Sequence, residues 1–367
     1  MNILFLNTID ADVWGGGEEW MLANGIGLRK RGHNVFCAGR AGSAFLERMA
    51  EAGFPIYAIQ FRRGWGPVNT VRLTRFLLAN HIDAVIANQA TDLRMAGVAR
   101  KLANNPVLLA RVGLAFFQND WKDRLPYLKL ADGIVANSHS LKRSYLDASA
   151  IADGMVRVIY NGVDTEVAVD YDLNAVRAKY DLPDRSPVIG IFGRLTAKKQ
   201  HSLFLEVAKN VLDRHPEAIF LVVGEGPEKA EIQSYAKELG ITEHLYMLGF
   251  QRSVFELYAL CDVVLFTSEA EALPNVVIEA MLAGKPVVSF DLDSVQELIR
   301  CEDTGVKVPL NDIYLMSQRT LELIESPERR RHIGEAARHF IMEHFSVNFM
   351  VQEVEAYLDQ LVHDRHH

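Results

Sequence analysis

Cysteine is almost missing from this chain: Cys37, Cys261 and Cys301 are the three among 367 residues. They are odd in number and widely separated, so neither a disulfide framework nor a thiolate metal site follows. All three are expected as small buried residues in a reducing compartment. Long apolar runs are missing as well. No stretch approaches the ~20 residues that a membrane-spanning helix requires. The opening Met1-Asn2-Ile3-Leu4-Phe5-Leu6 lacks a basic lead, so it reads as a strand and not as an export signal. A surplus of basic charge is also lacking. The 39 Lys and Arg face 47 Asp and Glu, a net of −8, which argues against nucleic acid as a partner. A cytoplasmic protein is expected.

What is present is a normal globular composition, 49% apolar and 23% charged, over a length that suits two domains with a core each. Short apolar runs alternate with longer amphipathic segments. Strands are expected over 3–7, 35–38, 56–59, 84–87, 107–110, 133–136 and 156–159, with helical patterns between them, for example 18–31, 68–80 and 93–102. Continuous apolar strands separated by helices mean a parallel sheet with right-handed crossovers. The pattern pauses after Asn161-Gly162-Val163-Asp164 and at Leu182-Pro183-Asp184, then restarts with strands over 188–192, 219–223, 245–248, 263–266, 287–290 and 305–308. Three helices close the sequence at 313–324, 327–343 and 347–362, the last with apolar positions Phe349, Val354, Tyr357, Leu358 and Leu361.

This is an α/β protein of two doubly wound, Rossmann-like domains, 1–168 and 169–345. The remaining helix, 346–367, is expected to pack back on the first domain. Ligands of such sheets sit outside the strand C-termini, which makes a cleft between the domains the expected site.

The most informative stretch is Glu271-Ala-Leu-Pro-Asn-Val-Val-Ile-Glu279, followed by Ala-Met-Leu-Ala-Gly-Lys-Pro-Val-Val. It leaves a strand, turns at Leu273-Pro274-Asn275 and enters a helix, with Pro274 suited to the first helical turn. The backbone at Leu273, Pro274, Asn275 and Val276, with free amides and the positive dipole end of the helix (Pro274 itself has no N–H), then suits a phosphate. Glu279 lies on an otherwise apolar helix, where it either pairs with a cation or accepts from adjacent hydroxyls such as those of a ribose. Glu271, in the loop, could reach sugar hydroxyls; both acids could equally be solvated. The loop Gly193-Arg194-Leu195-Thr-Ala-Lys-Lys199 follows a strand, so its cations can reach a diphosphate. Gly15-Gly16-Gly17 precedes a helix and permits close backbone approach, without the dinucleotide fingerprint. Asp10-Ala-Asp12 and Asp291-Leu-Asp293 read as loop acids and not as a metal site.

These segments, in this order, resemble the retaining GT-B glycosyltransferases of family 4, also called group 1. The resemblance rests on the E-x7-E stretch, Gly15-Gly-Gly-Glu18, Arg31-Gly32-His33, Asn137-Ser138, Val158 to Asp164, Gly193-Arg194-Leu195 with Lys199, and Gly224-Glu225-Gly226-Pro227. It implies a GT-B fold and transfer of a hexose-type sugar from a nucleotide-diphosphate sugar, with retention and without a metal or other cofactor. Cell-envelope polysaccharide or lipopolysaccharide synthesis fits. Arg194, Lys199 and Glu271 would be catalytic. Gly15, Gly16, Gly17, Gly193, Phe250, Leu273, Pro274, Asn275, Val276 and Glu279 would bind the donor, with the base near Gly249, Phe250 and Gln251.

Two departures stand out. Gln200 occupies a position where glycine is common, and Asn88, Gln89 and Val112 stand where the family often has histidines. The acceptor side therefore falls to Glu18, Asn88 and Arg111. His33 and His139 read as structural. A nucleotide-sugar epimerase or a silent sugar-nucleotide-binding protein on the same scaffold is the competing reading. Phe116-Phe117 with Trp121-Lys122, and Phe61-Arg62-Arg63 with Trp65, fit equally a peripheral contact with the inner membrane face, near a lipid-linked acceptor, or loop packing.

Overall fold

The structure is a computed structural model that describes all residues except 11, 60–65, 114–125, 128, 149–150, 167–169, 185 and 367. The chain divides into two units, Met1–Gly162 with Val347–His367, and Val163–Ser346. The division falls after residue 162, ahead of the 168/169 boundary expected from the polar stretch, because Val163 already pairs with Ser346 of the second unit. Among the described residues no helix is long and apolar enough to cross a membrane.

The first unit carries a parallel sheet of β1 (Asn2–Asn7), β2 (Asn34–Arg40), β3 (Ile56–Ile59), β4 (Ala84–Ala87), β5 (Val107–Val112), β6 (Gly133–Ala136) and β7 (Val156–Val158). Their spatial order is β3-β2-β1-β4-β5-β6-β7. The central strands β4, β5 and β6 are buried at every position, which is why they read as unbroken apolar runs. β5 runs on to Val112, past the expected end at Ala110, so Arg111 is a strand residue and not a loop residue.

The second unit repeats the plan with β8 (Val188–Phe192), β9 (Ile219–Val223), β10 (Leu245–Gly249), β11 (Val263–Phe266), β12 (Val287–Phe290) and β13 (Val306–Val308). The order is β10-β9-β8-β11-β12-β13, again parallel. In each unit the strand order reverses once, between β1 and β4 and between β8 and β11. At such a switch point adjacent loops diverge and leave a crevice at the strand C-termini.

Helix Val347–His366 belongs to the first unit. Met350, Val351, Val354, Tyr357 and Leu358 are buried in that core. Phe349, expected among them, is 42% exposed, and Met350 and Val351 take the inward positions instead. Close approach explains two glycines: a β-carbon on Gly27 would collide with Val351, and one on Gly133 with the Tyr357 hydroxyl. Glu355 accepts from Arg31 Nε at 2.6 Å and pairs with His33 Nε2 at 2.7 Å, so His33 has a structural partner on this helix. Of the cysteines, Cys37 and Cys261 are buried and burial pushes both thiols up to about 12. Cys301 is exposed, against expectation; it lies in a turn where Thr304 donates to its carbonyl.

Candidate functional site

In the second unit the loops after β8 and β11 meet across the switch point. The β8 loop is fixed by backbone packing. Gly193 has φ +134 and Gly224 φ +144, and a β-carbon on Gly224 would collide with the Gly193 carbonyl. Gly193 N donates to Val223 O at 2.9 Å and Leu195 N to Glu225 O at 3.0 Å. The Gly224-Glu225-Gly226 turn is therefore a support for the Gly193–Leu195 loop. Thr267, at the end of β11, donates its hydroxyl to Lys199 O at 2.8 Å, and Glu269 N donates to Lys198 O at 3.1 Å.

These bonds bring Lys199 Nζ onto Glu271 Oε1 in a direct ion pair. Both side chains are partly exposed, at 20% and 25%, so the pair faces solvent rather than the core. A cation and a carboxylate held together this way offer a phosphate-binding charge and a hydroxyl acceptor side by side. Arg194 follows Gly193 and is exposed, with no side-chain partner among the described residues. Gln200 takes the left-handed conformation, φ 49 and ψ 50, which supplies the physical reason for glycine at this position.

Helix Asn275–Leu282 starts one residue later than the sequence suggests. Pro274 is its N-cap, with φ −82 and ψ 96, rather than its first helical residue. The Pro274 carbonyl accepts from Val277 N at 3.0 Å, which leaves the preceding amides outside the helix's own bonding. Leu273 is buried beneath the turn. The far end of the helix is pinned by Arg338, which donates to Leu282 O at 2.7 Å, and by Lys285, which donates to Ala259 O at 2.7 Å.

Glu279 accepts from the hydroxyl of Tyr258 at 3.0 Å. Tyr258 is fully buried and its ring stacks on Phe192 at 3.9 Å between centroids. Burial, then the Glu279 charge, pushes the phenol well above its usual range, so it stays a donor. Tyr258 is a site residue that sequence reasoning missed; its place in an apolar helix, Phe255–Leu260, gives no hint of a polar task. Gly249, with φ +67, ends β10, and the following Phe250 is 72% exposed.

In the first unit the corresponding crevice is also polar. Gly15 is the N-cap of helix Gly16–Lys30, so two of the three glycines lie inside the helix, which begins ahead of the expected residue 18. Glu18 is 3% exposed and accepts from Asn7 Nδ2 at 2.8 Å, Asn88 Nδ2 at 3.1 Å and Gly15 N at 3.0 Å. Arg111 Nη1 donates to Asn88 Oδ1 at 3.5 Å. The expected trio Glu18, Asn88 and Arg111 thus forms one chain of contacts. Beside it Asp92, wholly buried, accepts from the Thr8 hydroxyl at 2.5 Å and from Gln89 N at 3.0 Å.

Asp10 pairs with Arg40 at 3.0 Å, and Asp291 accepts from Gln296 at 3.1 Å. Among the described residues no group of three or more His, Cys, Asp or Glu could hold a metal ion. The aromatic and basic stretches 61–65 and 116–122 lie outside the described residues. A cavity of about 300 Å³ in the second unit is lined by Arg177, Ser186, Pro187, Asp262, Ile324 and Arg330. It adjoins the residues preceding β8 and β11, the end of the sheet opposite the loops above, and its arginines are occupied by carbonyls and Asp262.

Two family models match the chain in succession: Glycosyltransferase Family 4 over residues 14–167, and Glycosyl transferases group 1 over residues 173–340. The chain is 26% identical over 295 residues to the N-acetyl-alpha-D-glucosaminyl L-malate synthase of Bacillus anthracis, covering 80% of this chain and 72% of that one. It is 26% identical over 340 residues to the lipopolysaccharide core biosynthesis glycosyltransferase LpsE of Rhizobium meliloti, covering 90% and 92%. Among solved structures, Anabaena HepE in complex with UDP superposes with a TM-score of 0.86 at 21% identity, covering 98% of this chain and 100% of that one. The same protein in complex with UDP-glucose gives 0.84 at 22%, with the same coverage.

Proposed function

Since this chain belongs to the GT-B glycosyltransferases of family 4, group 1, we propose that it transfers a hexose from a nucleoside diphosphate sugar to a hydroxyl acceptor with retention and without a metal. The observation that carries this is the Lys199–Glu271 pair across the β8/β11 switch point, beside the exposed Arg194. UDP and UDP-glucose are bound by the structural neighbour HepE, and they are the donors to try first.

In this reading Lys199 and Arg194 stabilise the negative charge that grows on the departing diphosphate, and helix Asn275–Leu282 receives the same phosphates at its amide end. Glu271 holds sugar hydroxyls. Glu279, fixed in place by Tyr258, accepts from the ribose hydroxyls, and the exposed ring of Phe250 offers the base a face to stack on. Attack and departure occur on one sugar face, with a diphosphate oxygen taking the acceptor proton. The acceptor is a glycan, glycolipid or small molecule, with cell-envelope polysaccharide as the setting.

Single-turnover reaction with radiolabelled UDP-glucose tests the proposal. The expected result is release of UDP together with the sugar, reduced by about 10²- to 10³-fold in Lys199→Ala. Glu271→Ala should be impaired alongside it. Conversion of the sugar to an epimer that keeps its nucleotide would sink the reading, as would turnover untouched by either substitution.

A further inference from the structure

Arg111 is 8% exposed, yet its guanidinium meets a single oxygen among the described residues, Asn88 Oδ1 at the long distance of 3.5 Å. An arginine carries five N–H donors and cannot shed its charge, so a buried one is ordinarily matched by a carboxylate. Glu18 is the acid whose charge favours the guanidinium, and among the described residues the two make no ion pair. The Glu18 oxygens already accept from Asn7, Asn88 and Gly15, and the Asn88 amide stands between the two charges. The Trp20 ring lies 5.8 Å from the guanidinium carbon, a face that suits a cation but accepts no hydrogen bond in the plane of the fork.

Two glycines frame the group. A β-carbon on Gly17 would stand 2.9 Å from Arg111 Nη1, and one on Gly113 2.6 Å from the same atom. The guanidinium therefore lies against the first turn of helix Gly16–Lys30, whose leading amides have no acceptors of their own within the helix. The guanidinium and these amides are all donors, and Glu18 in the same turn favours the charge of the arginine without bonding it. An anion placed between them turns both into partners. Burial pulls the arginine down to about 10, with Glu18 opposing, and the group stays charged at neutral pH.

We infer that Arg111, with the first turn of helix Gly16–Lys30, is a receptor for an oxyanion, and that the acceptor of this enzyme carries a carboxylate or phosphate near the hydroxyl it offers. This rests on the transferase reading above for the word acceptor, though the receptor itself rests on the geometry alone. The site is at the end of β5, where Val112 leaves no imidazole to contact substrate and the arginine one residue earlier supplies the polar group.

Inorganic phosphate and acetate serve as probes, titrated calorimetrically into the full chain at constant ionic strength, with and without saturating UDP. UDP occupies the Lys199 site, so phosphate bound there is displaced while phosphate at Arg111 is not. The expected result is saturable binding of one probe in the presence of UDP, weakened about ten- to a hundred-fold in Arg111→Gln. The probe that binds separates phosphate from carboxylate. Gly113→Ala, which keeps the charge but crowds the guanidinium, should weaken it too, while UDP affinity changes less than about two-fold.

Phosphate that competes with UDP, or an Arg111→Gln protein that loses UDP equally, would assign the arginine to the donor and overturn the inference. So would a folded wild-type chain that binds neither probe. UDP binding that Lys199→Ala weakens tests the donor reading separately, so a chain indifferent to UDP fails that reading while the Arg111 result stands or falls on its own.

Discussion

At the scale of the residue, His201 shows how a side chain can cost more than it contributes. It opens helix His201–Leu212, is 1% exposed, and neither ring nitrogen has a hydrogen-bond partner among the described residues. Burial, then the Lys199 charge, pulls its pKa down to about 4 from 6.5. The unfolded imidazole takes a proton near pH 6.5 and the folded one near pH 4, so between these values the unfolded chain binds more protons. Stability is whole above about pH 6.5 and falls as the pH drops through 4, by on the order of 3 kcal/mol. His201→Leu should flatten that acid limb and leave the protein at least as stable at pH 7; urea titrations at pH 4.5 and 7 check it. An unchanged acid limb would place the proton elsewhere.

The sequence makes Arg194, Lys199, Glu271 and Glu279 visible because charge stands out in apolar surroundings. It hides Tyr258, whose ring is core and whose hydroxyl alone has a polar task, and it hides Asp92 and Asn7, whose partners are remote in the chain. Gln200 was visible as a departure, but the reason needed a backbone angle.

At the scale of the element, helix Asn275–Leu282 is held along its length. Its outer neighbour approaches closely because a β-carbon on Gly334 would collide with the Gly284 carbonyl, and Tyr258 holds Glu279 from the inner side. Tyr258→Phe keeps the stacked ring on Phe192 and removes the hydroxyl that donates to Glu279 at 3.0 Å and, more weakly, to Val276 O at 3.4 Å, a loss of about 0.5–1.5 kcal/mol. If Glu279 serves the ribose, the variant should bind UDP about two- to ten-fold more weakly and raise KM for UDP-glucose, with kcat nearly constant. A drop in kcat at unchanged KM would move Glu279 to another task. Strand positions were readable almost to the residue, since strands buried on both faces announce themselves as apolar runs. Helix starts were less so. Gly16 and Gly17 look like loop, yet they are helical, and Gly17 leaves bare backbone beside Arg111.

At the scale of the whole molecule, the first unit is discontinuous: it is made of Met1–Gly162 and Val347–His367. The second unit is continuous, and its two ends meet, with Val163 N donating to Phe345 O at 2.8 Å. A fragment 163–346 should therefore unfold cooperatively by itself, followed by circular dichroism. A fragment 1–162 should not, because helix Val347–His366 fills its core with Met350, Val354, Tyr357 and Leu358. Adding a peptide of residues 347–367 should restore a cooperative transition. A sharp transition from 1–162 alone would show the helix to be dispensable. The doubly wound plan was legible from alternation alone, but this boundary was not, because the bridge between residues 163 and 346 is a long-range contact that periodicity cannot register.

That discontinuity has a consequence in time. A ribosome makes every residue of the second unit before the first residue of helix Val347–His366. The later-made unit is complete while the earlier-made one still lacks a layer over Phe5, Met21 and Leu28. The order of completion runs opposite to the order of synthesis, and the stretch that waits longest with its apolar face uncovered is the one that left the ribosome first.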